Sequence, residues 1–409
     1  MKNLVNIYQQ KFTYHPYYQK LFKQLTQIEK KVFVFVKNQS DKELDKEIYQ
    51  IGFSNLEDLI QKVKELKLEN SYFNTFEEHS VVLTNKLKQF FNQPATHYYQ
   101  AFENKDFQRK KLLEYDKSIT VNYQIIKDLK KFKLEIDFPL VIKPIRWAQS
   151  RWVKIIKSKA ELEQYLTEYQ KILEKVWESW YKNESFLLEE FIDGSAWSVD
   201  YFVDENWDFT LTKPVFLEFG IDIKLDDFCN ISRVISKEKE NELDLDKLKE
   251  FLEKNIKALW IKNTFVHHEF KFTNKQQFKT IELNWRIGWF RLDMYDKCYN
   301  INLLEIPFQK QPNWYLENPL QTNYAIWALY PKKEGILKKI NNKIFNQIKK
   351  LPSLESIKII NSKIGQKIWP AKNWYSRVWF VRLNNPDFQQ FQKDYEFVKK
   401  NYENLLILN

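Results

Sequence analysis

Phe265 to Arg291 reads FVHHEFKFTNKQQFKTIELNWRIGWFR, two runs of alternating apolar and polar residues joined by the polar stretch Thr273 to Gln277. This is the pattern of a β-hairpin. With the turn centred between Lys275 and Gln276, Glu269 faces Glu282, His267 faces Asn284 and Phe265 faces Arg286. Side chains alternate along a strand, so these residues share one side of the ribbon. Val266, Phe270, Phe272, Ile281 and Leu283 form the opposite, core side. Two carboxylates directly across from each other destabilise a sheet unless something neutralises them. A hard divalent cation would do so, taking oxygens from Glu269, Glu282 and the Asn284 amide at about 2.1 Å in the case of Mg²⁺. A solvated hairpin face with Lys271 close by fits the same spacing, and the spacing alone leaves both readings open.

The elements around this hairpin read as an α/β unit followed by mixed strands and helices. Leu4 to Tyr8 and Val32 to Val36 are short apolar runs of strand length, separated by a helical stretch around Tyr17 to Glu29. Leu56 to Leu66, after Ser54 or Asn55 as N-cap, and Ser80 to Phe91 are further helices. No G-x-G-x-x-G follows the first strand and no G-x-x-x-x-G-K-[ST] occurs, so dinucleotide and Walker-type phosphate sites are unsupported. Asn104-Lys105-Asp106 opens a helix that carries Arg109, and Phe138 to Pro144 is an apolar strand ending in Lys143-Pro144. Lys159 to Trp180 is an amphipathic helix, Phe186 to Gly194 a strand and hinge, and Asp204 to Asp208 a hairpin turn. Asp244 to Leu259 is the helix that leads into the acidic hairpin.

Glu269, then Glu282-Leu283-Asn284-x-Arg286 and Gly288, resembles the metal-binding hairpin of ATP-grasp enzymes, which read h-x-E … i-E-x-N-x-R-x-G-G. Other segments resemble the same superfamily in the same order. Asn104-Lys105 to Leu113 is similar to D-K-x-x-x-R-x-x-L, with Asn104 for Asp, and Pro139 to Pro144 is similar to P-x-x-x-K-P. Phe186 to Gly194 is similar to l-l-v-E-E-f-i-x-G, and Ser195 to Asp200 to x-E-x-S-V-D. The resemblance implies Mg²⁺ or Mn²⁺ on Glu269, Glu282 and Asn284, and Arg286 on an acyl phosphate. It implies Lys105 and Lys143 near the ATP phosphates, with Ser150 in the phosphate loop. Adenine would be recognised by Glu189 and by the main chain of Glu190, Phe191 and Ile192. Ala196 stands where a Glu usually bonds the ribose, a loss expected to cost about 1–3 kcal/mol in ATP binding.

Composition bounds the rest. The chain has 409 residues, 44% hydrophobic and 17% aromatic, enough for two or three domains. Its N-terminus lacks a signal h-region, and no apolar run approaches the roughly 20 residues that span a bilayer. Cys229 and Cys298 are the only cysteines and have no metal-ligand spacing, so neither a disulfide framework nor a zinc site is implied. The formal charge of +11 is spread along the chain with no basic block, so nucleic acid is not an expected partner. Lys, Asn, Ile, Tyr and Phe, whose codons are rich in A and T, are abundant.

Glycine is the anomaly. The chain has 6 glycines and 14 tryptophans, against a usual glycine share of about 7%. Asn206-Trp207, Asn284-Trp285, Asn313-Trp314 and Asn373-Trp374 stand where Asn-Gly turns are natural. Trp152, Trp260 and Trp289 fall where ATP-grasp sequences carry Gly, and the loop 145–153 contains none. Many of these tryptophans are expected to be UGA codons that the cell reads as glycine. An aromatic-rich protein whose turns tolerate indole is the other reading.

The expected architecture is α/β and α+β. Residues 1–103 form a Rossmann-like pre-ATP-grasp domain, residues 104–312 an ATP-grasp core, and residues 313–409 a C-terminal α+β lid. The implied protein is a cytoplasmic, ADP-forming ligase that uses ATP and Mg²⁺ or Mn²⁺ to join a small carboxylate to an amine, away from any membrane. A catalytically weakened nucleotide-binding module is the alternative, suggested by Ala196 and the glycine-free loop.

Overall fold

The computed structural model describes residues 3–10, 12, 16–127, 132–145, 153–173, 185–223, 229–309, 315–331, 333–359, 363–368, 377–401 and 404–409. The N-terminal unit is built on a five-stranded sheet, ordered Lys42–Asp45, Ile48–Phe53, Val32–Lys37, Leu4–Tyr8 and Tyr72–Asn74. All neighbours in it are parallel except the edge strand Lys42–Asp45. Leu4 to Tyr8 and Val32 to Val36 are buried residue after residue, as strands covered on both faces must be. Helices Pro16–Gln27, Leu56–Glu65 and Val81–Phe90 flank the sheet. Asn55 caps the second of these by accepting from the Asp58 N–H. The hairpin Lys42–Phe53 is absent from the sequence expectation, because KELD has no apolar alternation to mark it.

Two antiparallel sheets follow. A four-stranded sheet is ordered Tyr123–Ile126, Phe186–Glu190, Leu140–Pro144 and Lys154–Ile156. A larger sheet runs Phe278–Asn284, Thr264–Phe272, Ser195–Val203, Val215–Phe219, Asn230–Ile235, Asn323–Leu329, Trp379–Asn385 and Leu354–Ile359, with Phe209–Leu211 paired to Ser195–Val203 as its ninth strand. Strands from both sides of the expected boundary at 312/313 therefore share one hydrogen-bonded ladder, joined where Asn230–Ile235 pairs with Asn323–Leu329. Its outer end is covered by helix Phe388–Asn401, which buries Phe391, Tyr395 and Val398. No helix among the described residues is long and apolar enough to cross a membrane.

The glycine shortage leaves a backbone signature. Eleven described residues other than glycine have positive φ, among them Trp207 at +72° and Trp260 at +49°. Trp260 follows helix Leu245–Ala258 and its cap Leu259. Its N–H bonds the Lys257 carbonyl at 3.2 Å, and the Ile261 N–H bonds Ile256 at 3.1 Å. That pair of bonds is the Schellman ending, in which the left-handed position is normally glycine. Trp285 behaves differently. It is 2% exposed, packs against Phe102, and is a core residue alongside Trp197, Trp327 and Trp379. Trp152, Trp314 and Trp374 lie outside the described residues.

Trp260→Gly is accordingly expected to stabilise the fold by about 1 kcal/mol, the cost of holding an L-residue in the left-handed region. The measurement is the urea midpoint at unchanged slope, with Trp260→Ala as a control that retains the Cβ. If recoding holds, the codons for Trp207 and Trp260 read TGA and peptides from the native cell carry glycine there. TGG codons at both positions remove the recoding reading.

Candidate functional site

Three adjacent strands of the large sheet place the acidic residues. In the ladder Ser195–Val203, Thr264–Phe272, Phe278–Asn284, one row is Ser198, Glu269 and Glu282. The next row on the same face is Asp200, His267 and Asn284. The expected facing of Glu269 with Glu282 and of His267 with Asn284 is thus present. The register then shifts between Glu269 and Phe270, so that Phe270 pairs with Thr280. Ile281 is the extra residue of this bulge. Expected on the core side, it instead lines the cavity beside Glu282, and Thr280 takes the core position, bonded to Asn255 and His268. The ladder ends at Asn284, so Arg286 does not pair with Phe265.

Burial pushes the Glu269 carboxyl up, but the His267 hydrogen bond and the charges of His267, Arg233 and Arg291 outweigh it and hold it below the usual range. Glu282 is met by Lys105, whose Nζ lies 3.1 Å from Oε1. Among the described residues no three His, Cys, Asp or Glu side chains group as a metal cluster, and the residue that could add an amide oxygen to the two carboxylates is Asn284, in the next row of the same face. Two carboxylates and an amide oxygen make an all-oxygen donor set, which fits Mg²⁺ or Mn²⁺ and not a thiophilic metal.

Lys105 is aimed by its helix. Asn104 caps Lys105–Tyr115, its side chain accepting from the Phe107 N–H at 3.1 Å, so the replacement of Asp by Asn keeps the cap. The Lys105 N–H also bonds the Ile145 carbonyl at 3.2 Å, tying the helix start to the end of the Lys143 strand. One turn on, Arg109 is 2% exposed. Its Nε lies 2.6 Å from Glu189 Oε1, while Lys143 Nζ lies 2.6 Å from Glu189 Oε2. Arg109 Nη2 donates in addition to the Ile281 carbonyl of the bulge. Burial lowers Lys143 to about 8, with Arg109 and Lys105 adding to the fall and Glu189 opposing it. Burial raises Glu189, but Arg109 and Lys143 more than reverse this and keep it ionised.

One cavity brings together Lys105, Lys143, Glu189, Glu190, Phe191, Ile192, Glu269 and Glu282. Both Glu189 oxygens are engaged by cations, so its carboxylate fixes Lys143 and Arg109. At the hinge, the Glu190 N–H bonds the Asn122 carbonyl at 3.0 Å and the Phe191 N–H that of Pro139 at 3.3 Å. Phe219 and Lys271 also line it, and Lys271 donates to the Gly194 carbonyl at 2.8 Å. Gly194 has φ +87°, and a Cβ there would come 2.2 Å from the Phe272 carbonyl oxygen, so only glycine fits. Ala196 is buried in the same ladder, opposite Lys271. Ser150 lies outside the described residues, as does most of the loop 145–153.

Arg286 sits past the hairpin, 4% exposed, and pairs with Glu78 of the N-terminal unit. Burial raises the Glu78 carboxyl, and Arg286, Lys105 and His79 bring it below the ordinary value. His267 and Asp200 were not assigned from sequence. His267 shares a strand face with Glu269 two residues on, and that alternation was the signal available. For Glu78 and for the Arg109–Glu189 pair no local signal exists.

Residues 136–290 match the family described as "ATP-grasp domain". No curated protein sequence gives a significant match. In three dimensions the chain is similar to L-amino acid ligase from Bacillus licheniformis, at 16% identity, 100% and 99% coverage of the two chains, and a TM-score of 0.70. It is also similar to phosphoribosylglycinamide synthetase from Anaerococcus prevotii (17% identity, 100% of both chains, TM-score 0.59). A third is N5-carboxyaminoimidazole synthetase from Staphylococcus aureus complexed with ADP (13% identity, 98% and 99%, TM-score 0.63). Residues 136–290 are an ATP-grasp domain, and the chain as a whole has the ATP-grasp fold.

Proposed function

We infer that this protein is an ATP-dependent, ADP-forming ligase that joins a small carboxylate to an amine through an acyl phosphate. The observation that carries the reading is the pair of facing carboxylates, Glu269 and Glu282, in one cavity with Lys105 and Lys143. An acidic pair beside two lysines is a poor nucleotide site by charge alone and a good one for a nucleotide carried with a divalent ion. That ion, held by Glu269, Glu282 and Asn284, would neutralise phosphate charge. Lys143 and Lys105, in the same cavity, offset the remaining charge, and phosphoryl transfer needs little more than such positioning. Glu189 keeps Lys143 extended toward the cavity. Phe191, Ile192 and Phe219 offer the apolar wall for a base, with the main chain of Glu190 to Ile192 beside it for polar contacts. Arg286 stabilises negative charge developing on the carboxylate substrate and on the oxyanion that follows amine attack. The amine loses a proton and the phosphate departs as the C–N bond forms.

A nucleotide-binding module with weakened catalysis is the second reading, favoured by Ala196, which leaves the ribose without its usual carboxylate. ADP release in the presence of pooled amino acids and dipeptide-like acids separates the two readings.

Glu282→Gln is expected to reduce Mg²⁺-dependent ADP release by at least about 100-fold with the melting temperature close to that of the parent. Near-normal turnover in that variant would remove the metal-site reading. A pH test addresses Lys143, which faces Glu189, Arg109 and Lys105. Its pKa is about 8 in the fold against 10.5 for a free lysine. The unfolded chain therefore binds the proton more readily, and the stability penalty of charging Lys143 is full below about 8, declines as the pH rises from about 8 to 10.5, and is gone above 10.5. Nucleotide phosphates favour the charged form. ATP affinity should thus fall as the pH rises through 8 and beyond, with proton uptake on binding, in calorimetric titrations. Lys143→Arg should flatten that profile, and Lys143→Ala should weaken ATP binding roughly tenfold or more. An unchanged dissociation constant in Lys143→Ala counts against the role.

A further inference from the structure

Behind the acidic hairpin lies a second, wholly buried carboxylate. Asp200 is 0% exposed, and its Oδ1 accepts the Gly288 N–H at 2.7 Å. Its two oxygens each lie 3.2 Å from His267 Nδ1, and Arg291 Nε lies 3.4 Å from Oδ2. The other ring nitrogen of His267, Nε2, lies 3.4 Å from Glu269 Oε1. Every position in this chain follows from the ladder. Asp200 and His267 are cross-strand partners, and Glu269 is the next residue on the same face of the His267 strand.

The space for the ring is made by Gly288. A Cβ there would stand 2.4 Å from His267 Nδ1, 2.5 Å from Cε1 and 2.9 Å from Arg291 Cγ. Gly288 thus supplies an N–H to Asp200 and a cradle for the imidazole at once. Arg291, from the same turn, donates to Ser198 Oγ at 2.6 Å, beside Glu269 in the neighbouring row. A buried carboxylate that takes hydrogen bonds from Gly288 and His267, with an arginine paired beside it and the ring clamped on two sides, is more apparatus than one β-strand contact requires.

We propose that His267 is a positioning residue for the divalent-ion site: Asp200 and Gly288 lock its ring, and Nε2 holds the Glu269 carboxylate in the orientation that meets the ion. The inference rests on the metal site read above. Partners of this kind, one step out from a metal ligand, change metal affinity by about 10- to 100-fold when removed. His267 touches neither nucleotide nor substrate and acts through Glu269.

The two ring nitrogens can be tested separately. Asn at 267 reproduces the Nδ1 donor and keeps the Asp200 bond, but has nothing at the Nε2 position. Gln reaches the Nε2 position and loses Asp200. The probe is Mn²⁺ with ADP, free Mn²⁺ being read by electron paramagnetic resonance, with thermal melting as the check on folding. His267→Asn is expected to melt near the parent and bind Mn²⁺ about 10-fold or more weakly, with His267→Gln binding better than His267→Asn. Gly288→Ala, which crowds the ring without removing any donor, should weaken Mn²⁺ similarly, and it carries the test if His267→Asn fails to fold. Parent-like Mn²⁺ affinity in His267→Asn, or in Gly288→Ala when it stands in, overturns the proposal. So does nitrogen coupling from His267 to bound Mn²⁺, which would make the ring a ligand. Glu269→Gln separates the two levels. Loss of Mn²⁺ there with His267→Asn unaffected rejects only the positioning role, whereas no loss in Glu269→Gln rejects the metal site and the proposal with it.

Discussion

Arg109 is the joint on which the site depends. Its guanidinium meets Glu189 on the small sheet and the Ile281 carbonyl on the large one, so a single buried side chain spans both walls of the cavity. Burying a charge is tolerable only when it is paired and hydrogen-bonded. Here the requirement runs in a circle: Arg109 needs Glu189, Glu189 carries the charge that keeps Lys143 beside it, and Lys143 faces the cavity. Taking one member from such a group typically costs about 3–5 kcal/mol because its partner is left charged and unpaired. The bulge at Ile281 belongs to the same arrangement. It turns that residue out of the core and presents its carbonyl to Arg109, while Thr280 fills the vacated position.

What could be read from the sequence was whatever repeats locally. Glu269, Glu282 and Asn284 were legible because a strand has a period of two and the polar turn sets the pairing. Helix starts at Asn55, Asn104 and Asp244 were legible because each Asn or Asp side chain accepts an N–H of the first turn. The bulge was not, since a constant sum of partner numbers assumes an unbroken ladder. Nor were the Arg109–Glu189 and Arg286–Glu78 pairs, whose members lie 80 and 208 residues apart. Glu189 shows the consequence for function. Its place in the hinge motif suggested a base contact, but long-range packing gives both of its oxygens to cations.

The tryptophans divide on physical grounds that composition could not supply. Trp197, Trp285, Trp327 and Trp379 are buried and pack as indoles. Trp207 and Trp260 hold positive φ at a hairpin turn and a helix end, where the backbone of an L-residue is strained although the two indoles meet edge to face. Trp289, 61% exposed beside Gly288, contributes surface and no core.

The larger sheet has a mechanical meaning as well as a topological one. Hydrogen bonds run without a break from Phe278–Asn284, which carries Glu282 and Asn284, to Leu354–Ile359 near the far end of the chain. A ladder of that kind moves as one stiff plate, so the C-terminal strands cannot swing aside to admit a ligand without tearing it. The four-stranded sheet bearing Lys143 and Glu189 is not part of that ladder. Glu282 and Asn284 are therefore set in the same plate as the C-terminal strands, and Lys143 and Glu189 in a separate sheet that Arg109 ties to it.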